Sequence, residues 1–263
     1  MSLSWAFRLP QVTGRAWLVW WRDYRTFMKT YKTNFIPPLV EPILYLVAFG
    51  FGLGGFVSKI GGESYAEFIA PALLAISMMT AAFFECTFGS FVRMYFQKTF
   101  DAIIATPLNV DEVIMGELLW GATKSVMYTV IVLGVVGVFG LVSFPMALLV
   151  VPFSFLVGLL FAGLGMMFTA VSPNIDTLSY PTSLYITPMM LLSGTFFPMD
   201  VLPVPVQQAS WALLPLLHAV NISRGMTYGA LDAGMLLDLA WILVATFFAV
   251  IISINLMRRR LIV

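Results

Sequence analysis

Six stretches of the chain are free or nearly free of charge, at about residues 35–57, 68–92, 118–142, 145–171, 177–197 and 234–257, and most charged residues collect between them. A helix rises about 1.5 Å per residue, so roughly 20 apolar residues cross the hydrocarbon core of a bilayer. Each stretch meets that length, and in lipid a spanning segment must satisfy its own backbone, which a helix does. The pattern predicts an all-α membrane protein with six transmembrane helices. Residues 1–34 form a cytosolic or interfacial segment, and 35–263 form a single six-span domain.

Between Arg15 and Lys32 a different period appears. Arg15, Arg22, Arg25, Lys29 and Lys32 supply cations, while Trp17, Trp21, Tyr24 and Met28 follow helical spacing on another face. Such an amphipathic helix lies in a headgroup layer, with aromatics at the acyl boundary and cations toward anionic lipid. It serves either as an anchor that sets topology or as an elbow that moves with the first span. In the loop after the second span, Phe96, Phe100, Ile103 and Ile104 recur at i, i+4, i+7 and i+8. Gln97, Lys98 and Asp101 fall elsewhere on the wheel, and Pro107 stops the helix. This predicts a short amphipathic helix over about 94–106, acting as a connector or as a docking element for a partner. Asn109 followed by Glu112 has the form of a capping box opening the next helix. Past the fifth span, Ser193-Gly194-Thr-Phe-Phe-Pro198 leads to a stretch at 206–214, flanked by Pro203, Pro205 and Pro215 and too short to cross. A pair of short re-entrant or interfacial helices on the outer side follows, either closing the fold or capping an exit.

Composition narrows the class. Of 263 residues, 60% are hydrophobic and 10% charged, against roughly 25% charged in soluble domains, and the mean hydropathy is +0.94. A soluble globular protein is excluded. Fourteen basic against thirteen acidic residues exclude a polybasic nucleic-acid binder and an acidic disordered chain. With a cytosolic N-terminus, the inside segments hold eleven of the fourteen cations, the outside ones only Lys59 and Arg224, and Lys124 lies within a span. The positive-inside rule then places both termini in the cytosol. No apolar core followed by a small-residue cleavage site occurs in the first 34 residues, so a cleavable signal peptide is not expected. The single Cys86, inside an apolar run, is expected to pack as a small apolar residue.

Charge inside a span costs several kcal/mol unless it is paired or wet. The candidates are Glu41, Glu85, Lys124 and Asp238. Glu85 lies eight residues before Arg93 and Lys124 thirteen after Asp111, about 12 and 20 Å from the cytosolic ends of their helices. Their depths are comparable, which predicts that Glu85 and Lys124 pair or share a polar cluster, with Glu117 two turns nearer the inner interface. Glu41, within Pro37-Pro-Leu-Val-Glu-Pro42, sits near the inner end of the first span, and Asp238 near enough to the outer end of the last to reach water. Enzyme signatures are missing: no Gly is followed by Lys, so there is no Walker loop, and no Gly-x-Ser-x-Gly elbow occurs. The lone His218 has no second histidine for a metal site and reads as an interfacial hydrogen bonder.

Several stretches, in order, resemble the permease subunits of type-2 ABC exporters, and within them the nodulation protein J branch that exports lipo-chitooligosaccharides. They are Pro42-Ile-Leu-Tyr-Leu-Val-Ala-Phe-Gly-Phe-Gly-Leu-Gly54, Ser64-Tyr-Ala-Glu-Phe-Ile-Ala-Pro71 and Met79-Thr-Ala-Ala-Phe-Phe-Glu85. Further along follow Thr106-Pro107-Leu108, Asp111 through Gly116-Glu117, Ala122-Thr-Lys124, Leu192-Ser-Gly-Thr-Phe-Phe-Pro198, Leu214-Pro215, His218 and Arg224. The resemblance implies a half-transporter in the bacterial cytoplasmic membrane, dimerising with a second copy above two separate ABC ATPase subunits, which hold the ATP and Mg; this chain itself holds no cofactor. It also implies that 94–106 is the coupling helix, with Phe96, Lys98, Thr99, Phe100, Asp101, Ile104, Thr106 and Pro107 facing the ATPase, and that Trp17, Trp21, Arg22 and Arg25 belong to a moving elbow. Gly194, Pro198, Pro215, His218 and Arg224 then mark the outer re-entrant segment. An amphipathic cargo, a lipid-linked saccharide, glycolipid or hydrophobic drug, fits the aromatic-rich spans. The alternative from another class is an ion-coupled carrier using Glu85, Lys124 and Glu41.

Overall fold

The computed structural model describes residues 7–54, 60, 62–230 and 232–262. Among them the regular structure is helical: α1 (Ala16–Lys29), α2 (Tyr31–Asn34), α3 (Ile36–Tyr45), α4 (Tyr65–Phe84), α5 (Thr99–Ile104), α6 (Val110–Val138), α7 (Val150–Val171), α8 (Ser179–Pro181), α9 (Thr187–Leu192), α10 (Val204–Leu213), α11 (Pro215–Tyr228) and α12 (Gly234–Leu261). Two long helices open on reciprocal capping boxes. Ser64 and Glu67 start α4, and Asn109 and Glu112 start α6 with both hydrogen bonds at 2.9 Å.

Among the described residues, four helical stretches are long and apolar enough to cross a membrane: Tyr65–Phe96, Val110–Val138, Met146–Val171 and Gly234–Leu261. The other two expected spans are broken. Proline removes a backbone donor and crowds the preceding turn. Pro42 lies inside α3, and the chain continues in the wide turns of Leu46–Leu53, so that only the shorter Pro38–Gly50 reads as an apolar helix. The end of that stretch, and Lys59, lie outside the described residues. In 177–197, Pro181 and Pro188 bracket another widened turn, Thr182–Ile186, between α8 and α9.

α4, α6, α7 and α12 pack as the core, with Met78, Met79, Phe83, Leu118 and Phe161 fully buried. Small residues bring these helices close, Gly158 meeting Ala122 and Ser125, and Gly163 meeting Ala249, the packing expected where lipid supplies no hydrophobic drive between helices. Cys86 is buried among them, against α6.

At one end of this bundle the N-terminal segment, the start of α6 and the end of α12 are tied together. Asp111 receives Arg258 and the Gln11 amide, Asn109 Nδ2 donates to the Gln11 carbonyl at 3.1 Å, and Asn255 Nδ2 donates to the Arg8 carbonyl at 2.8 Å. The single helix expected over 94–106 is interrupted at this end. The widened turn Val92–Phe96 stops at Gln97, Lys98 takes a left-handed φ of 54°, and α5 begins at Thr99. Phe96 is therefore 60% exposed while Phe100 is fully buried, and the two do not share one apolar face.

At the opposite end α10 and α11 form a pair joined at Leu214, with Pro215 at the first position of α11, where a missing N–H costs nothing. His218 is fully buried between them and α12. Its Nδ1 lies 2.5 Å from Asp238 Oδ1, its Nε2 lies 2.8 Å from the Trp211 carbonyl, and its ring stacks on Trp241 at 4.4 Å. Asp238 therefore does not reach water as expected; it is 7% exposed and held by His218 and Asn221. Arg224 donates to the Gly194 carbonyl and lies 4.2 Å over the Phe68 ring, and Pro198 follows in the same connection.

Candidate functional site

The helix expected from the Arg15–Lys32 pattern forms as α1, but the face it buries is Ala16, Val19, Asp23 and Phe27. It lies against α6. The crossing point is Gly116, whose hydrogen leaves room for α1: a Cβ there would stand 2.5 Å from Val19 Cβ and 2.7 Å from the Ala16 carbonyl oxygen. Around this crossing Trp20 Nε1 donates to Thr123 Oγ1 at 2.8 Å, and Trp120 packs edge-on against Phe27 at 5.4 Å. Trp17 and Trp21 stay exposed and stack in a row with Trp20, and Arg25 is exposed as well.

Arg22 instead turns inward to a charged cluster. Glu117, fully buried on α6, receives Arg22 Nη2 at 2.9 Å on one oxygen, and Arg93 Nη2 at 2.6 Å, Arg93 Nε at 2.9 Å and Ser90 Oγ at 2.8 Å on the other. Glu85 receives Arg93 Nη1 at 2.7 Å and Trp120 Nε1 at 3.0 Å on one oxygen, and Lys124 Nζ at 2.7 Å on the other. Glu85, Gly89 and Arg93 lie at i, i+4 and i+8 of the helical stretch below α4, so the carboxylate runs down across Gly89, where a Cβ would stand 3.1 Å from Glu85 Oε1. The widened turn Glu85–Gly89 is at this point, the kind of irregularity that re-aims side chains within a helix.

Asp23 completes the cluster. Its Oδ1 accepts from Arg22 Nη2 at 2.6 Å, while its Oδ2 and Arg22 Nη1 are buried without a hydrogen-bond partner. Burial first, and the charge of Glu117 second, push the Asp23 carboxyl up to about 7 in spite of Arg93 and Arg22. With Asp23 protonated, three cations face two carboxylates. All of the cluster's charged residues but Glu117 line a cavity of about 550 Å³ that runs from Gln97 and Thr99 at the loop up to Glu85, Trp120 and Lys124, with Phe27, Thr30 and Asn34 on its α1–α2 side.

Of the intramembrane candidates, then, Glu85, Glu117 and Lys124 come together and Glu41 does not; it sits on α3, beside Tyr45. Asp23, Gly89, Arg93 and Trp120 are site residues the sequence pattern does not single out, and Arg22, expected as a cation of the interfacial helix, joins them through Glu117. The signal for Arg93 was available in the Glu85–Gly89–Arg93 spacing; for Asp23 there was none, because an acidic residue beside an arginine reads as a solvated pair. Of the loop residues, Lys98 and Asp101 are exposed at 67% and 60% and lie 3.9 Å apart, Thr99 lines the cavity, Ile104 packs partly buried against the core, and Thr106 Oγ1 donates to the Ile103 carbonyl at 2.6 Å. Pro107 accepts Arg15 Nη1 at 3.0 Å through its carbonyl, which links the loop to the start of α1.

The profile of the ABC-2 type transporter family matches residues 15–228, from the residue before α1 to the last of α11. The chain belongs to this family. It is 36% identical over 249 residues to nodulation protein J of Rhizobium leguminosarum bv. viciae, covering 94% of this chain and 96% of that one. It is 37% identical over 249 residues to nodulation protein J of Bradyrhizobium diazoefficiens, covering 92% of each. At greater distance it is 25% identical over 213 residues to the inner membrane transport permease YadH of Escherichia coli, covering 81% of each. Membership of the ABC-2 family makes this chain a membrane transport subunit, and the matched region includes every residue of the charged cluster.

Proposed function

We propose that this chain is the permease subunit of an ATP-driven exporter in the bacterial cytoplasmic membrane. In this reading the broken stretches at 35–57 and 177–197 complete six crossings, both termini are cytosolic, and α10 and α11 are the outer re-entrant pair. A second copy and two separate ABC ATPase subunits complete the transporter, with ATP and Mg in the ATPases, and the cargo is amphipathic. The relatives and the family support the class. The observation that carries the mechanism is the short path from an exposed cytosolic surface into the charged cluster.

Tyr95 and Phe96 are exposed at 51% and 60%, next to exposed Lys98 and Asp101. An aromatic patch with a charged border suits a docked protein partner. Arg93, two residues earlier, binds Glu85 and Glu117, and Glu117 binds Arg22 of α1. Displacement of the loop by a closing ATPase pair is thus passed to α6 and α1 through buried ion pairs rather than through a flexible linker. The left-handed Lys98 separates α5 from the helical stretch that carries Arg93, Tyr95 and Phe96 and gives the two a defined joint. Opening and closing of the 550 Å³ cavity between α1, the base of α4 and α6 would accompany that movement. The ion-coupled alternative would run through Glu85, Lys124 and Glu41, but both oxygens of Glu85 are held by cations and Lys124 is held by Glu85, which leaves Glu41 as the one member of that set unpaired among the described residues.

The test is to solubilise the protein gently from its native membrane, ask by mass analysis whether an ATPase subunit of equal copy number accompanies it, and repeat with Lys98→Glu/Asp101→Lys. The double reversal preserves the pair between the two residues and inverts the field they present. Loss of the ATPase, or a fall of about tenfold in hydrolysis, is expected. Absence of any ATPase under conditions that keep other complexes intact would overturn the reading in favour of a carrier.

A further inference from the structure

Glu41 is the intramembrane carboxylate that the charged cluster leaves out. It is exposed on α3 and, among the described residues, has no hydrogen bond and no ion pair. Within a span such a group is costly unless something outside the chain meets it. Glu41 and Tyr45, one turn apart, form one wall of a crevice whose other wall is Ser77 and Thr80 of α4 and Tyr128 of α6.

The donors on the α4 and α6 wall are engaged. Ser77 Oγ donates to the Leu74 carbonyl at 2.7 Å, Thr80 Oγ1 to the Ile76 carbonyl at 2.9 Å, and Tyr128 Oη to the Asn34 carbonyl at 3.3 Å. Lys124, one turn from Tyr128, is held by Glu85 at 2.7 Å. What remains is a carboxylate beside the ring of Tyr45 with no cation of its own, since Lys124 Nζ stands 5.7 Å over the Tyr128 ring but is bound to Glu85. A carboxylate beside aromatic faces is the chemistry that recognises an ammonium group, through a charge-assisted hydrogen bond and cation–π attraction together. Toward lipid, Glu41 and Tyr45 continue into an apolar surface of Val40, Leu44, Ala48 and Phe49, where an alkyl chain would lie. Thr80 and Tyr128 are also five residues from Glu85 and four from Lys124, so the crevice stands about 6–8 Å beyond the charged cavity along the same two helices.

We propose that this crevice is a cargo subsite for amphipathic ammonium compounds, with the N–H donating to Glu41, the cation against the Tyr45 ring, and the chain along the outer face of α3. The assignment rests on the permease reading, and its test reads binding rather than transport. The full chain with its co-purified ATPases is placed in phosphatidylcholine nanodiscs, and saturable binding of tritiated dodecylamine is measured for wild type, Glu41→Gln and Glu41→Asp, with unlabelled dodecylamine and dodecanol as competitors. We expect one saturable site per chain, weakened about tenfold or more in Glu41→Gln and largely kept in Glu41→Asp, with dodecylamine competing and dodecanol not. Equal affinity in Glu41→Gln, equal competition by dodecanol, or no saturable binding in wild type would overturn it. The dodecanol comparison needs no variant and stands even if Glu41→Gln fails to fold. Co-purifying ATPases without saturable ammonium binding would remove the subsite and leave the permease reading intact; absence of the ATPases would remove that reading without bearing on the binding result.

Discussion

Gly116→Ala puts one methyl group into the α1–α6 crossing. Its Cβ would stand 2.5 Å from Val19 Cβ, 2.9 Å from Val19 Cγ1 and 2.7 Å from the Ala16 carbonyl oxygen, where carbon–carbon contacts settle at about 3.5–4.0 Å. Helix α1 must retreat by on the order of 1 Å. Arg22 is three residues beyond Val19, and its 2.9 Å bond to buried Glu117 would stretch past hydrogen-bonding range. Overpacking costs about 1–3 kcal/mol and a lost charged hydrogen bond about 1.5 kcal/mol, against a gain of about 1 kcal/mol in helix propensity. The net is on the order of 2 kcal/mol against docking of α1, roughly a thirtyfold rise in the undocked population. Hydrogen exchange of the α1 amides in nanodiscs reads this directly. Gly134→Ala is the control: it makes the same chemical change on the same helix, at a position where a Cβ meets nothing within 4 Å. It should leave α1 exchange unchanged. If Gly116→Ala behaves like Gly134→Ala, α1 is not seated on α6 as described, and the path from the loop to α1 fails with it.

Two further outcomes follow from the same cluster. Lys124→Met strands one oxygen of Glu85 and Glu85→Gln leaves Lys124 and Arg93 undercompensated, so each alone should lower the midpoint of unfolding in dodecyl sulfate, while the double variant should recover about 1–3 kcal/mol relative to the sum; strictly additive losses would show that the pair does not interact. Asp23, raised to about 7 in the docked state from an ordinary 3.8, holds its proton more tightly docked than free, so docking of α1 is strongest below about pH 4 and weakens as pH rises to about 7. Exchange of α1 amides, corrected for intrinsic rates, should therefore increase between pH 5.5 and 7.5 in wild type and stay flat in Asp23→Asn; the same pH dependence in both would assign it to another group.

Helix existence was legible where the apolar run was long, as in Val110–Val138 and Gly234–Leu261. Capping was legible at Asn109–Glu112, because that signature is local. The breaks were not legible at the level of charge alone: a run without charges says that a segment belongs in lipid, and proline does not settle the rest, because Pro42, Pro181 and Pro188 lie in the broken stretches while Pro71 sits inside the unbroken α4. Periodicity placed Phe96 and Phe100 on one face by assuming an unbroken helix, and the left-handed Lys98 rotates one away from the other. Counting rise along two helices brought Glu85 and Lys124 to a common depth, and their side chains meet at 2.7 Å. The same counting could not supply Arg22 or Asp23, whose position depends on where α1 crosses α6. That crossing is fixed by what Gly116 lacks, and a missing side chain carries no periodic signal.

The arrangement of charge also bears on what the cluster is for. Replacing buried ion pairs by apolar side chains of similar size is often neutral or stabilising, so six charged groups are a poor means of merely holding α1, α4 and α6 together. Their geometry is more demanding than their energy. Arg93 addresses Glu117 through Nη2 and Nε and Glu85 through Nη1, and Glu117 can accept Arg22 only on its remaining oxygen. A planar fork of this kind has one register. A leucine at each position would let α1 slide on α6 and the loop rotate under α4 without a defined loss at any one place. In the proposed exporter the ionic hub would let movement of the loop carry Arg93, Arg93 carry both glutamates, and Glu117 carry α1. The unpartnered Arg22 Nη1 and Asp23 Oδ2 leave the α1 end the least committed part of the hub, which makes α1 the element that yields first when the loop is pushed.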